Sequence, residues 1–393
     1  MIDVEGFIAK YQDIDNPYEF YGELRAQGRV LWIDQLNRWL VSGYDQALFL
    51  LRHEKTSNDR RNWDDYVLPP GLDRPPGGIT ALDPPDHTRL RSLVHQAFTP
   101  RLLEGLRPRI TTLVDDLLAQ ASEQDEIELM RDIAYPLIAT ALAELLGIPL
   151  ADQDDFLAQS IIFSDVFDPV SHLVLSDVGV RAYEQLTGYF TAALDEHRRT
   201  PKDDLITGLL RAEADGDRLT SEELLEMCLG LTVAGLETTA NIVGNGMNAL
   251  FAHPADMARL RDDPGIVTTA FEELMRFDPP VQLAGRVAVA DIEVDGAVIR
   301  KGQMAGILLG AANRDPAAFD RPDELDLTRW PNRHLGFSRG IHFCLGAPLA
   351  RLSGEMMLAA MVSRFPGLHL AGEAKRRNNV HVRGFESMPV AFR

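Results

Sequence analysis

Cysteine is scarce in this chain of 393 residues: there are two, Cys228 and Cys344. Two cysteines make no disulfide framework, and the expectation is a protein of a reducing cytoplasm. Positive charge is also short, with 39 Lys and Arg against 59 Asp and Glu and a formal net charge of −20. That balance argues against nucleic acid and anionic membranes as partners. No uninterrupted apolar run reaches transmembrane length; Pro136–Leu150 comes closest, but it is short and contains Glu144. The opening Met1-Ile2-Asp3-Val4-Glu5-Gly6 has no basic stretch and no apolar one, so no signal peptide is expected. No repeat at solenoid spacing is visible. What remains is a soluble chain of ordinary apolar and charged content, long enough for a large core.

Against those absences stands one loop, Phe337-Ser338-Arg339-Gly340-Ile341-His342-Phe343-Cys344-Leu345-Gly346. A helical pattern opens behind it at Ala347, so the sulfur sits at or near a helix N-terminus, where thiolate is favoured over thiol. Gly340 and Gly346 lack side chains and allow a flat ligand to approach. On placement alone three readings stay open. Cys344 is an inert packed thiol, a nucleophile with His342 as its base, or an axial haem ligand.

Taken in order, Pro17–Gln27 reads as a helix, Val30–Ile33 with Arg38–Val41 as a hairpin, and Asp45–Leu51 as a second helix. Residues 67–85 are rich in Pro and Gly and read as an irregular loop over a site. Asp86 opens a helix that places His87 and Arg91 on one face, as either a solvated basic face or an anion clamp. Helical periodicity then runs from Leu102 to about Arg199, with an apolar, less regular stretch over 152–180. Thr220 and Glu223 form a capping box for the longest helix, expected to reach Phe251. Its middle, Val233-Ala234-Gly235-Leu236-Glu237-Thr238-Thr239-Ala240, is poor helix material and holds an acid among apolar neighbours. That suits a place where a small polar molecule is held; a packing glycine beside a solvated Glu237 is the alternative. Glu273 and Arg276 are spaced to pair on one helix, with Arg329 as a further partner. From Gly285 the period changes to strands, with Asp295-Gly296 as a tight turn, and 378–392 reads as another short β region.

Four separated features now stand in the order shown by bacterial cytochrome P-450 monooxygenases, which the chain resembles from near residue 15 to its end. They are His87-Thr88-Arg89-Leu90-Arg91, Ala234-Gly235-Leu236-Glu237-Thr238-Thr239, Glu273-Leu274-Met275-Arg276, and the cysteine loop. The resemblance implies one monooxygenase domain over residues 1–393. Its fold class is mainly α, the cytochrome P-450 fold, a helix-rich part plus a smaller β-rich part with haem between the Glu237 and Cys344 helices. It implies haem b with Cys344 as the ligand of iron, and His87, Arg91, Arg286 and His342 on the haem propionates. Ala234, Gly235, Phe337 and Gly346 would line the cofactor, Gly235 letting the helix open a groove. Glu237 and Thr238 would deliver protons for dioxygen cleavage. Glu273, Arg276 and Arg329 would form a structural ion-pair triad.

The same resemblance implies a hydrophobic small-molecule substrate (terpenoid, aromatic or polyketide), a ferredoxin or flavodoxin with its reductase as electron donor, and a monomer. Leu231, Ala234, Val281, Leu283 and Phe385, with the 67–85 loop and the 156–180 region, are the expected pocket walls. Fatty acids are less favoured, because no basic anchor stands out there. Arg101, Arg107, Arg109, Arg333, Arg339 and Arg351 form either a docking patch for the donor or scattered surface charge. A cysteine hydrolase, a peroxide-driven peroxygenase and a non-catalytic haem-thiolate sensor are the competing functions. The first has poor triad geometry, and the acid–threonine pair argues against the other two.

Overall fold

The computed structural model describes residues 15–67, 78–149, 153–166, 177–214 and 217–392. The chain begins with α1 (Pro17–Gln27), β1 (Val30–Ile33), β2 (Arg38–Val41), α2 (Tyr44–Arg52) and β3 (Thr56–Ser57). Next come α3 (Asp86–Ala97), α4 (Pro100–Ser122), β4 (Glu126–Glu128), α5 (Tyr135–Leu146), α6 (Gln153–Val166), α7 (Asp177–Arg199) and α8 (Leu205–Arg211). The long α9 (Ser221–Ala252) precedes α10 (Pro254–Asp262), α11 (Val267–Phe277), β5 (Leu283–Ala288), β6 (Ile292–Val294), β7 (Ala297–Ile299) and β8 (Met304–Leu308). Last are α12 (Ala347–Arg364), β9 (His369–Leu370), β10 (Phe385–Ser387) and β11 (Pro389–Ala391).

These elements form two packing units, each entered by the chain more than once. The first holds Met1–Pro75, Asn245–Leu345 and Lys375–Glu386. Its five-stranded sheet runs β1-β2-β8-β5-β3, with β8 parallel to β2 and antiparallel to β5. Apolar side chains alternate onto a core that includes Val41, Leu50, Leu51, Ile307 and Leu335. The β6–β7 hairpin turns at Asp295 and Gly296 with φ of 51° and 77°, the pair of positive angles that Asp-Gly favours.

A buried charge network ties the chain's two ends together within this unit. Asp278 accepts from the Tyr18 hydroxyl at 2.5 Å and from Arg383 Nε at 2.7 Å, and pairs with Arg376 at 3.3 Å. Asn245 Nδ2 donates to the Asp278 and Arg383 carbonyls and its Oδ1 accepts from Arg376. Burial pushes the Asp278 carboxyl up, yet Arg383 and Arg376 together hold it below its ordinary range. Burial and then Asp278 push the Tyr18 hydroxyl up.

The second unit holds Pro76–Gly244, Gly346–Ala374 and Ser387–Arg393. It is mostly helical, with a three-stranded sheet in which β11 lies between β9 and β4 and a short antiparallel pairing of Glu213–Ala214 with Asp217–Arg218. Helical periodicity was expected to dominate 102–199, with a less regular stretch only over 152–180. The strand β4 interrupts it, because its partner lies at the far end of the chain, and a single π-turn over Met130–Ala134 follows. In α5, Leu137, Ile138, Ala139, Ala141, Leu142, Ala143, Leu145 and Leu146 are buried, as suits a core helix. The capping box of α9 is present: Thr220 N–H donates to Glu223 at 2.8 Å and Glu223 N–H donates back to the Thr220 hydroxyl at 3.2 Å. Among the described residues this helix, rather than Pro136–Leu150, is the one long and apolar enough to cross a membrane. Two-thirds of its apolar window (67%) is buried, which marks a core helix.

Candidate functional site

In the first unit the cysteine loop is fixed by hydrogen bonds from several segments. Leu335 N–H donates to Asn313 Oδ1 at 2.7 Å, Gly336 N–H to His334 Nδ1 at 3.1 Å, and Ser338 N–H to the Leu335 carbonyl at 2.8 Å. Cys344 N–H donates to the Phe337 carbonyl at 3.0 Å, closing the loop on itself. Phe337 is buried and meets Phe343 edge-on at 6.5 Å. Gly340 has φ +78°, and a Cβ there would lie 2.5 Å from the Leu51 carbonyl oxygen, so nothing larger than glycine fits. Cys344 itself is half-buried, three residues ahead of α12. Cys228 is fully buried in α9 and burial pushes its thiol up to about 12, so it stays a thiol.

His334 was not singled out from the sequence. Its Nδ1 accepts the Gly336 N–H, so the ring proton sits on Nε2, which donates to Glu272 at 3.0 Å. Its carbonyl accepts from Arg339 Nη2 at 2.9 Å. The ring therefore fastens the loop entrance to α11. The only sequence signal is a histidine three residues before Phe337, which spacing alone does not distinguish from a core histidine.

Glu273, Arg276 and Arg329 come together. Arg276 donates twice to Glu273, both bonds at 2.8 Å, and both side chains are fully buried. Arg329 Nε completes the triad at 3.1 Å, and the Asp326 N–H and Asn332 Nδ2 also donate to Glu273. Arg276 further bonds the carbonyls of Asn313, Pro322 and Glu324. Breaking such a buried pair costs about 3–5 kcal/mol.

Arg286 lies on β5, buried, with Nη1 donating to the Gly285 carbonyl at 2.8 Å. His342 is half-buried in the turn Gly340–His342. Two expected pocket residues belong to the core instead. Leu283 is 7% exposed and packs with Phe20, Tyr21 and Leu308. Phe385 is 2% exposed with the Arg376 guanidinium stacked on its ring at 3.8 Å. Val281 keeps partial exposure and bridges Val382.

In the second unit α3 carries His87, Arg91 and His95 as one stripe. His87 is buried; burial first and Arg91 second hold it below the ordinary histidine value, and the same two causes act on His95. Arg91 Nε donates to His95 Nε2 at 3.0 Å. Both imidazoles are therefore neutral near pH 7, and Arg91 supplies the stripe's charge. Arg89 points elsewhere and pairs with Asp217 and Glu223.

Along α9 the residues Leu231, Ala234 and Thr238 are partly to fully exposed, as Val233 and Gly235 are in part, while Glu237 is buried. An apolar surface of this kind fits the face of a flat macrocycle. The helix does not open into a groove at Gly235 but runs unbroken from Ser221 to Ala252. A Cβ on Gly235 would meet Leu142 at 2.9 Å, so the glycine serves close packing against α5. The Thr238 hydroxyl donates to the Ala234 carbonyl at 2.6 Å.

Residues 68–77 and 167–176 of the expected pocket walls lie outside the described residues. Of the basic residues considered for a docking patch, Arg107 pairs with Glu104 and Arg109 with Glu144. Among the described residues no group of three or more His, Cys, Asp and Glu is placed to hold a metal ion by itself.

The family model for cytochrome P450 matches residues 10–264 and 265–381. The chain is 39% identical over 394 residues to the polyketide biosynthesis cytochrome P450 PksS of Bacillus subtilis (strain 168), covering 96% of each protein. It is 38% identical over 388 residues to the cytochrome P450 monooxygenase PikC of Streptomyces venezuelae, covering 96% of this chain and 91% of that one. The solved structure of P450BioI in complex with acyl carrier protein ligated with hexadec-9Z-enoic acid shares 34% identity. It has a TM-score of 0.90 and spans 98% of this chain and 100% of that one.

Proposed function

Because the chain belongs to the cytochrome P450 family, we propose that it is a haem b monooxygenase with Cys344 as iron ligand and an apolar, polyketide-type molecule as substrate. The family activity is that of an oxidoreductase inserting one oxygen atom from dioxygen, as in the monooxygenase PikC. The observation that carries the reading is the cysteine loop. Its backbone is closed by the Cys344 N–H bond to Phe337, and Gly340 is held against Leu51. Such bracing holds a thiolate in one place whether or not a partner presses on it.

Once bound, haem brings the oxidising chemistry, with the thiolate pushing electron density towards the metal. The rest falls to the protein. Arg91 and Arg286 supply full charges for two propionates, with His87 and His342 as hydrogen-bonding partners. Ala234, Gly235, Phe337 and Gly346 supply small or apolar surface. Thr238 keeps its hydroxyl proton on the Ala234 carbonyl, so its oxygen is an acceptor ready to orient a small donor. Glu237, buried beside it, is placed to take up a proton and pass it on. Leu231 and Val281 contribute apolar wall to the substrate pocket.

The name of PksS supports a polyketide-type substrate. A ferredoxin or flavodoxin with its reductase supplies the electrons, and the enzyme works as one domain over 1–393, as a monomer in the cytoplasm. The test is a ligand screen on the purified holoenzyme, followed through the haem Soret band, then turnover of the hits. Product formed with dioxygen and reductant supports the proposal. Product formed with peroxide alone makes the chain a peroxygenase, and haem spectra with no turnover by either route make it a sensor.

A further inference from the structure

Helix α3 carries one more residue on the stripe of His87 and Arg91, and the motif read from the sequence did not include it. His95 lies one turn beyond Arg91, and helical side chains lean towards the N-terminus, so the imidazole reaches back to the guanidinium. The contact is a hydrogen bond of 3.0 Å, donated by Arg91 Nε to His95 Nε2. An acceptor at Nε2 requires a neutral ring with its proton on Nδ1. The last turn of a helix favours the imidazolium. Burial and then Arg91 oppose it and hold His95 below the ordinary histidine value, which keeps the acceptor in place at neutral pH.

The backbone beneath the pair is fixed. Leu90, Leu93, Val94 and Ala97 bury the neighbouring face of α3, all within the second packing unit. Ala97 meets α8 so closely that a Cβ on Gly208 would lie 3.2 Å from its own. The remaining freedom is that of the Arg91 side chain, which is long and rich in rotamers. A bond to Nε removes much of it.

The kind of acceptor decides what this bond can do. Other arginines on α3 and α4 are held by carboxylates: Arg89 by Asp217 and Glu223, Arg107 by Glu104, and Arg109 by Glu144. Such a pair cancels the charge that it fixes. A neutral imidazole fixes the guanidinium and takes no charge from it. A guanidinium can meet an oxyanion side by side along the edge that includes Nε or along the edge made by Nη1 and Nη2. His95 occupies the first edge and so selects the second. Arg91 is thereby presented end-on, the arrangement that receives both oxygens of a carboxylate.

We propose that His95 is a positioning residue for the cofactor, setting the orientation in which Arg91 receives a haem propionate. This role rests on the haem monooxygenase reading and deepens it, and His95 acts through Arg91 alone.

The test follows haem loss from purified holoenzyme to excess apomyoglobin, watched in the Soret band. His95→Phe keeps a ring without an acceptor and should release haem about fivefold faster than the wild type. His95→Gln presents an amide oxygen at a similar reach and should bring the rate back to within about twofold. Arg91→Leu should release haem at least as fast as His95→Phe. Adding His95→Phe to it should change nothing further, because the imidazole then has nothing to hold. The role is overturned by a wild-type rate in His95→Phe or in Arg91→Leu, by a His95→Gln rate equal to that of His95→Phe, or by further acceleration in the double variant. The ferrous–carbonyl spectrum of the same samples reports separately on the monooxygenase reading. A wild type that binds haem without a thiolate-type band overturns that reading, while the haem-loss rates still decide the role of His95. A wild type that takes up no haem overturns both.

Discussion

The cysteine loop and the middle of α9 hold their reactive side chains by opposite means. The loop has no regular structure to lean on, so its backbone is fastened by Asn313, His334 and its own Phe337 carbonyl. The helix segment Ala234–Thr239 is regular throughout, and its only departures are a missing side chain at Gly235 and a hydroxyl turned onto its own backbone. The loop is over-determined and the helix is barely perturbed. In the proposed roles the difference has a use: a metal ligand must not move, whereas groups that pass protons must exchange partners.

The sharpest break in that contrast is Cys344→Ser. It should abolish the thiolate-type ferrous–carbonyl band altogether while leaving the fold intact by circular dichroism; an unchanged band would remove Cys344 as the ligand. Thr238→Ala should leave haem and substrate binding untouched yet cut product per electron by about 10²-fold, the electrons appearing as peroxide. Unchanged coupling would mean that the hydroxyl only serves the helix.

Smaller effects sharpen the comparison on the side of packing. Gly235→Ala gains about 1 kcal/mol of helix propensity but forces Leu142 aside, for a net loss of about 1 kcal/mol. In a Leu142→Ala background the same change should become stabilising, and a loss of equal size there would return the glycine to a role in opening the helix. Ser338 carries φ +59° and a buried hydroxyl with no hydrogen-bond partner. Ser338→Gly should therefore stabilise by about 1 kcal/mol in chemical denaturation. A destabilised variant would show that the hydroxyl has a use the fold alone does not reveal.

The parts that could be read from the sequence were those encoded locally. The capping box of α9, the Asp295-Gly296 hairpin and the Glu273–Arg276 spacing all specify geometry within a few residues, and Arg329 was found because it falls in a recognisable run. What escaped reading depends on distant partners. The strand Glu126–Glu128 looked helical because it pairs with residues 389–391. Gly235 looked like the opening of a groove because Leu142, which packs against it, is nowhere near it in sequence. Leu283 and Phe385 looked like pocket wall because apolar residues on strands do not announce which face is covered.

The placement of β11 between β9 and β4 has a bearing on how this protein is made. The strand β4 stays unpaired until Pro389–Ala391 has been made, and the Asp278 network likewise waits for Arg376 and Arg383. Helices can form as they emerge, but neither unit can close before these later segments have been made. Contacts of such long sequence separation are slow to form and leave apolar surface open meanwhile. Expression yield of this chain should respond more to chaperone supply than to surface substitutions, with the arrival of Pro389–Ala391 setting the clock.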